Sequence, residues 1–159
     1  MNRIIFIVIT IIFSSCTTTT SYYILRHAEK EAGTTMTTGT IKTTDVPLSE
    51  RGMERAEELR NQLFNKKIKH IYSTNTIRTK STAEPLSKSI GIPIKIYNAI
   101  DSGFLQLLKN SKDNVLVVGH SNTVDDLVNA LMDKKLLNDL ADTQYGDIFV
   151  VNKKGNSKN

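Results

Sequence analysis

A chain with one cysteine, three histidines and no tryptophan leaves out several chemistries before any motif is read. The single thiol, Cys16, cannot staple the chain internally, so the fold must rest on buried apolar surface. It also removes the paired-cysteine half of a zinc deaminase site, although His27-Ala28-Glu29 matches the other half. Five tyrosines and five phenylalanines without tryptophan make no base-stacking platform. The net charge of +5 is spread along the chain rather than gathered in blocks, which suits anionic ligands in general and gives no argument for nucleic acid as a partner. Long hydrophobic runs are missing too. Residues 4–13 form the longest, and about ten apolar residues fall well short of the roughly twenty that span a bilayer.

That short run suits export instead. It follows Met1, Asn2 and Arg3 and ends at Ser14, Ser15 and Cys16, the layout of a basic region, a hydrophobic region and small residues before a cleavage point. Ser14-Ser15-Cys16 resembles a bacterial lipobox, with Phe13 in place of the usual leucine. The expectation is a lipoprotein signal peptide over residues 1–15 and an acylated Cys16. A polar tether over 16–21, a domain over 22–152 and a frayed tail over 153–159 would follow. A lipid on Cys16 would hold the protein on a bacterial envelope membrane, at its periplasmic or outer-membrane face, without spanning it. The alternative is cleavage nearby that leaves a free thiol.

With 159 residues, 39% apolar and 23% charged, the chain suits one domain with a core of its own. Apolar runs at residues 22–25, 68–72, 94–97, 115–118 and 148–151 read as strands. The unbroken run Val115, Leu116, Val117, Val118 fits a central parallel strand covered on both faces. Met53, Ala56, Leu59 and Leu63 recur at helical spacing behind Ser49, a good N-cap. A second helix is expected over about 76–90, capped from among Ser73, Thr74 and Asn75, ended by Gly91 and bent or broken at Pro85. Phe104 to Leu108 and Val124 to Leu131 complete the helical pattern. Strands alternating with helices predict an α/β fold: a three-layer α/β/α sandwich with an open, mostly parallel sheet of about five strands. Residues 31–47 show no periodicity and read as a long loop at the rim of a site.

Two of the three histidines end apolar strands, His27 after Arg26 and His120 after Gly119. Charged groups are seldom buried unpaired, whereas the carboxyl ends of parallel strands are where open α/β sheets bind ligands. Were the two strands neighbours, the histidines would converge with Arg26, with Arg78 from the second helix, and with the helix N-terminus near Ser121. Guanidinium forks and helix N-termini both suit phosphate oxygens. Such a pocket fits a dianionic phosphoryl group that one imidazole could attack, with the cations serving where a metal otherwise would. Two imidazoles beside two arginines would repel a metal ion, so neither a metal nor another cofactor is expected.

The blocks LRHAEK, LSERG, IYSTNTIRTKSTA and VLVVGHSN, in that order, resemble the histidine phosphatase superfamily, the branch that includes phosphoglycerate mutase, over roughly residues 22–152. The resemblance implies a phosphatase with His27 as nucleophile and Arg26, Arg78 and His120 around the phosphoryl group. Ser73 and Thr74 match the small polar pair before the second arginine, and Ala28 replaces the glycine of the family's Arg-His-Gly triplet. Phosphomonoesters or phosphohistidine would be the substrates, carried by small molecules or phosphoproteins. The alternatives are a phosphate-binding or structural envelope lipoprotein that lost the chemistry, and a mutase, for which so short a chain leaves little room. The general acid stays open among Asp101, Glu29 and Asp45, in that order. His70, Lys30 and Asn122 read as surface, loop and helix-start residues, and oligomeric state is not legible.

Overall fold

The computed structural model describes residues 19–31, 36–38, 41–43 and 45–155. Cys16, with the signal peptide and lipidation expected around it, lies outside the described residues. Five strands build the main sheet: β1 (Thr19–Arg26), β4 (Ile68–Ser73), β5 (Ile94–Ile96), β6 (Asn114–Gly119) and β7 (Ile148–Lys154). Their order is β5-β4-β6-β1-β7, with β7 antiparallel to β1 and the other pairs parallel. A two-stranded piece, β2 (Met36–Thr38) with β3 (Ile41–Thr43), occupies part of the stretch read as loop.

Alternation along the central strands sorts the core into two layers. Tyr22 and Ile24 of β1 and Val115 and Val117 of β6 join one cluster with Leu108, Val124, Leu127 and Val128, from α3 (Ser102–Asn110) and α4 (Ser121–Met132). Tyr23, Leu25, Leu116 and Val118 face the other way, against Leu59 and Leu63 of α1 (Glu50–Leu63) and Ala83 and Leu86 of α2 (Ile77–Ile90). Period-two side chains thus serve helices on both faces, and the run 115–118 is at most 1% exposed because neither face meets water.

Several boundaries differ from the sequence expectation. β1 begins at Thr19, so Thr19–Ser21 extend the sheet against Asn152–Lys154 of β7 and are neither tether nor tail. The polar and lysine-rich composition of both segments hid a ladder that needs only backbone groups. α2 continues unbroken through Pro85 to Ile90 and is capped by Thr76, whose side chain accepts the Thr79 amide. Gly91 then ends it in the left-handed conformation. His70 lies within β4, half-buried, with Nε2 3.6 Å from an Asp113 oxygen.

Helix α1 starts as expected at Ser49, whose hydroxyl accepts the Gly52 amide at 3.2 Å. Gly52 is buried against the backbone of Glu29, and a Cβ there would stand 2.0 Å from the Glu29 carbonyl oxygen. Only glycine lets the helix approach the segment that follows His27. Replacing it must push that segment or the helix aside, so Gly52→Ala is expected to destabilise the domain by about 1–3 kcal/mol. A melting temperature equal to wild type by calorimetry would show that the approach is not tight.

Candidate active site

The sheet order makes β1 and β6 neighbours, so Arg26 pairs with Gly119 in register and the next residue of each strand is a histidine. The His27 amide donates to the Gly119 carbonyl at 2.9 Å, which ties the two loop starts together. The imidazole rings of His27 and His120 stand edge to face with centroids 5.4 Å apart. β4 flanks β6 on its other side and brings Thr74 to the same edge.

His27 is 3% exposed, and its Nδ1 lies 2.7 Å from the Ala28 carbonyl oxygen. A carbonyl only accepts, so Nδ1 carries the proton and the lone pair stands on Nε2. Burial, partly offset by that hydrogen bond, together with the positive charge of Arg78 and Arg26 and the nearby His120, lowers the pKa of His27 to about 4. Burial first, then Arg78 and Arg26, lowers His120 to about 4 as well, against an opposing pull from Asp45. Near neutral pH both imidazoles are uncharged beside two guanidiniums, and the pocket is positive without repelling its own parts.

His120 is the N-cap residue of α4; its amide donates to Thr123 Oγ1 at 2.8 Å. Thr74 Oγ1 and Thr76 Oγ1 each lie 3.5 Å from one of its ring nitrogens. Both hydroxyls are fixed by Thr79, which is fully buried in the first turn of α2. Arg78, from the same turn, is largely buried, and its Nε has no hydrogen-bond partner among the described residues. A buried donor without a partner costs free energy that an oxyanion would recover.

Arg26 is also at the site, but more constrained than the sequence implies. Its Nη1 donates to the carbonyls of Ala141, Asp142 and Gln144 at 2.9, 3.1 and 3.2 Å. Its guanidinium carbon lies 4.4 Å from the centre of the Tyr145 ring, which is also 6.0 Å from the His27 ring. Nε is buried with no hydrogen-bond partner among the described residues, and Nη2 is 3.7 Å from the fully exposed Asp142 carboxylate. Tyr145 and the 141–144 carbonyls went unread because backbone acceptors leave no signature and residues 133–147 carry no periodicity.

The three carboxylates considered as general acid fare differently. Asp101 is the N-cap of α3; it is exposed and accepts the Phe104 amide at 2.8 Å. Glu29 receives two bonds from Arg55 at 2.6 Å and has Arg51 Nε at 3.4 Å. The hydrogen bonds from Arg55 hold its carboxyl below the usual range, so it keeps no proton to give at neutral pH. Asp45, placed last from sequence, is the one of the three in contact with a pocket residue. Its two oxygens accept the Ile77 amide at 3.0 Å, and Oδ1 lies 3.4 Å from Arg78 Nη1. Ala28 fits without strain: its methyl is buried with Leu48 and Ala56, and its amide donates to Thr82. Among the described residues, no group of three or more histidine, cysteine or acidic side chains converges on a metal position.

Residues 22–101 match the model of the histidine phosphatase superfamily (branch 1). The chain finds no match among curated proteins. Its fold is shared with the SixA protein from Agrobacterium tumefaciens, at 23% identity and a TM-score of 0.57 over 71% of this chain and 77% of that one. YhfR from Bacillus stearothermophilus superposes with a TM-score of 0.60 at 18% identity, over 82% and 90% of the two chains. A phosphoserine phosphatase from Entamoeba histolytica, in complex with 3-phosphoglyceric acid, gives 0.54 at 18% identity over 73% and 81%.

The depressed histidines make stability depend on pH. Between the unfolded value of 6.5 and the folded value of about 4, the unfolded chain binds more protons than the native one. Stability is therefore full above pH 6.5 and declines as pH falls toward 4. Denaturant titrations across this range should show that decline, and His27→Asn should make it shallower. An unchanged slope in that variant would mean that His27 titrates normally in the folded protein.

Proposed function

The chain belongs to the histidine phosphatase superfamily, branch 1, and from that premise we propose that it hydrolyses phosphorylated substrates without a metal, through a phosphohistidine on His27. The observation that carries this reading is the Nδ1–Ala28 hydrogen bond, which fixes the His27 tautomer and leaves Nε2 unprotonated in a buried, positively charged pocket. In the first step the Nε2 lone pair forms a bond to phosphorus while the bond from phosphorus to the leaving oxygen breaks. Arg78 and Arg26 neutralise charge on the remaining oxygens. His120 takes up a proton as the dianion arrives, since a nearby negative charge favours its charged form, and then donates to the phosphoryl group. Water next attacks phosphorus, the P–N bond breaks, and inorganic phosphate leaves with His27 neutral again.

In this reading Asp45 supplies the proton for an alkoxide leaving group, because of the three carboxylates it is the one that touches Arg78. Asp101 is exposed at the start of α3 and Glu29 is bound by Arg55, so neither carboxylate touches the histidines or Arg78. The fold relatives include one described as a protein histidine phosphatase complexed with tungstate and one described as a phosphoserine phosphatase. Phosphohistidine and phosphoserine-like monoesters are therefore the substrate classes to test. Export and acylation at Cys16 are part of the same proposal, resting on the residue order of 1–16, and a Cys16→Ala variant should leave the membrane fraction.

Two measurements check the chemistry. Hydrolysis of p-nitrophenyl phosphate should fall at least about a thousandfold in His27→Ala, and equal rates would refute the nucleophile assignment. Asp45→Asn should lose about a hundredfold on an alkyl phosphate while keeping most of its p-nitrophenyl phosphate activity, because only the poorer leaving group needs a proton. A uniform loss on both substrates would instead assign Asp45 to holding Arg78 and the start of α2. Chelators should alter neither rate.

A further inference from the structure

The end of the sheet opposite the histidines carries a separate concentration of charge. Parallel strands start there: Lys66 and Lys67 precede β4, and Lys112 precedes β6. β7 runs the other way, so its Lys153 and Lys154 pair with Thr20 and Thr19 at the same end. Lys109 closes α3 there as well. Asn114 welds these pieces together: its side chain donates to the Lys66 carbonyl at 2.7 Å and accepts the Ser21 amide at 2.9 Å. Lys153 reaches across to the Lys109 carbonyl.

Dispersed along the sequence, the six lysines are brought to one edge by topology. The acids placed with them are Asp133, 2.8 Å from Lys109, and Asp113, which faces His70. The edge is therefore strongly positive. A groove of about 480 Å³ opens between Thr20, Lys109, Lys112, Lys153 and Lys154. Apolar side chains stand out at the same end of the sheet: Phe64 and Met132, at the ends of α1 and α4, are 49% and 45% exposed. Lysines mixed with a few exposed apolar groups suit the boundary between lipid headgroups and acyl chains. The chain itself enters here, since β1 begins at Thr19, three residues after Cys16.

We propose that this lysine edge lies on an anionic bilayer, beside the lipid attachment proposed at Cys16. The inference rests on that attachment and assigns the face it presents. Eight residues of β1 separate the edge from Arg26, roughly 25 Å at strand rise. The histidine pocket then opens away from the lipid and toward substrates in the aqueous phase.

Flotation of the full chain with liposomes tests this. Phosphatidylcholine vesicles are compared with vesicles containing about one-third phosphatidylglycerol, and wild type should prefer the anionic ones by about tenfold or more. Lys112→Glu/Lys154→Glu should abolish that preference while binding neutral vesicles as wild type does, with an unchanged melting temperature. Lys30→Glu/Lys80→Glu carries the same change in charge at the other end of the molecule and should keep the preference. Equal loss in both double variants would mean that bulk charge acts, and would overturn the face. Equal binding of wild type to both vesicle types would also overturn it, while leaving the attachment standing. Absence of binding to either vesicle would remove the attachment itself. Duplex DNA binding of equal strength, lost in the same Lys112/Lys154 variant, would replace lipid as the occupant.

Discussion

Two guanidiniums and two imidazoles share one small volume at the carboxyl edge of the sheet, and the rest of the molecule is arranged to make that tolerable. Fully protonated, the four groups would repel one another and the fold around them. Burial solves the problem by stripping the imidazoles of charge, so that Arg26 and Arg78 remain as the cations. Among the described residues, both arginines keep a buried Nε with no hydrogen-bond partner. An oxyanion that accepted from them would offset the cost of burying those donors, which favours phosphate at this edge.

Much of this was readable in advance because it depends on local rules. Val115 to Val118 announced a central strand by being apolar at every position, and Ser49 and Gly91 marked helix ends by their backbone chemistry. Arg26, His27, Arg78 and His120 stood out as polar groups where strands and helices change over, and sheet order then brought them together. What escaped depended on partners far away in sequence. Nothing in LRHAEK says that Arg26 will be gripped by carbonyls more than a hundred residues on, or that Glu29 will be taken by Arg55. Asp101 looked available because a carboxylate in a loop reads alike whether it caps a helix or faces a pocket. The contact of Asp45 with Arg78 escaped because the stretch around Asp45 lacks any pattern.

The two ends of the sheet differ in kind. At one, charge is buried and held in place by threonines and carbonyls, which is the condition for chemistry. At the other, lysines are exposed on flexible stems, which is the condition for loose, salt-sensitive attraction to a surface. The same +5 net charge thus divides into two settings that composition alone could not separate.

The hold of residues 141–144 on Arg26 has a temporal meaning. His27 emerges early in synthesis, but the carbonyls that set its neighbouring arginine belong to a segment made more than a hundred residues later. Those carbonyls lie just before β7, the strand that pairs with β1. The setting of Arg26 beside His27 can therefore be complete only in a chain made through residue 144.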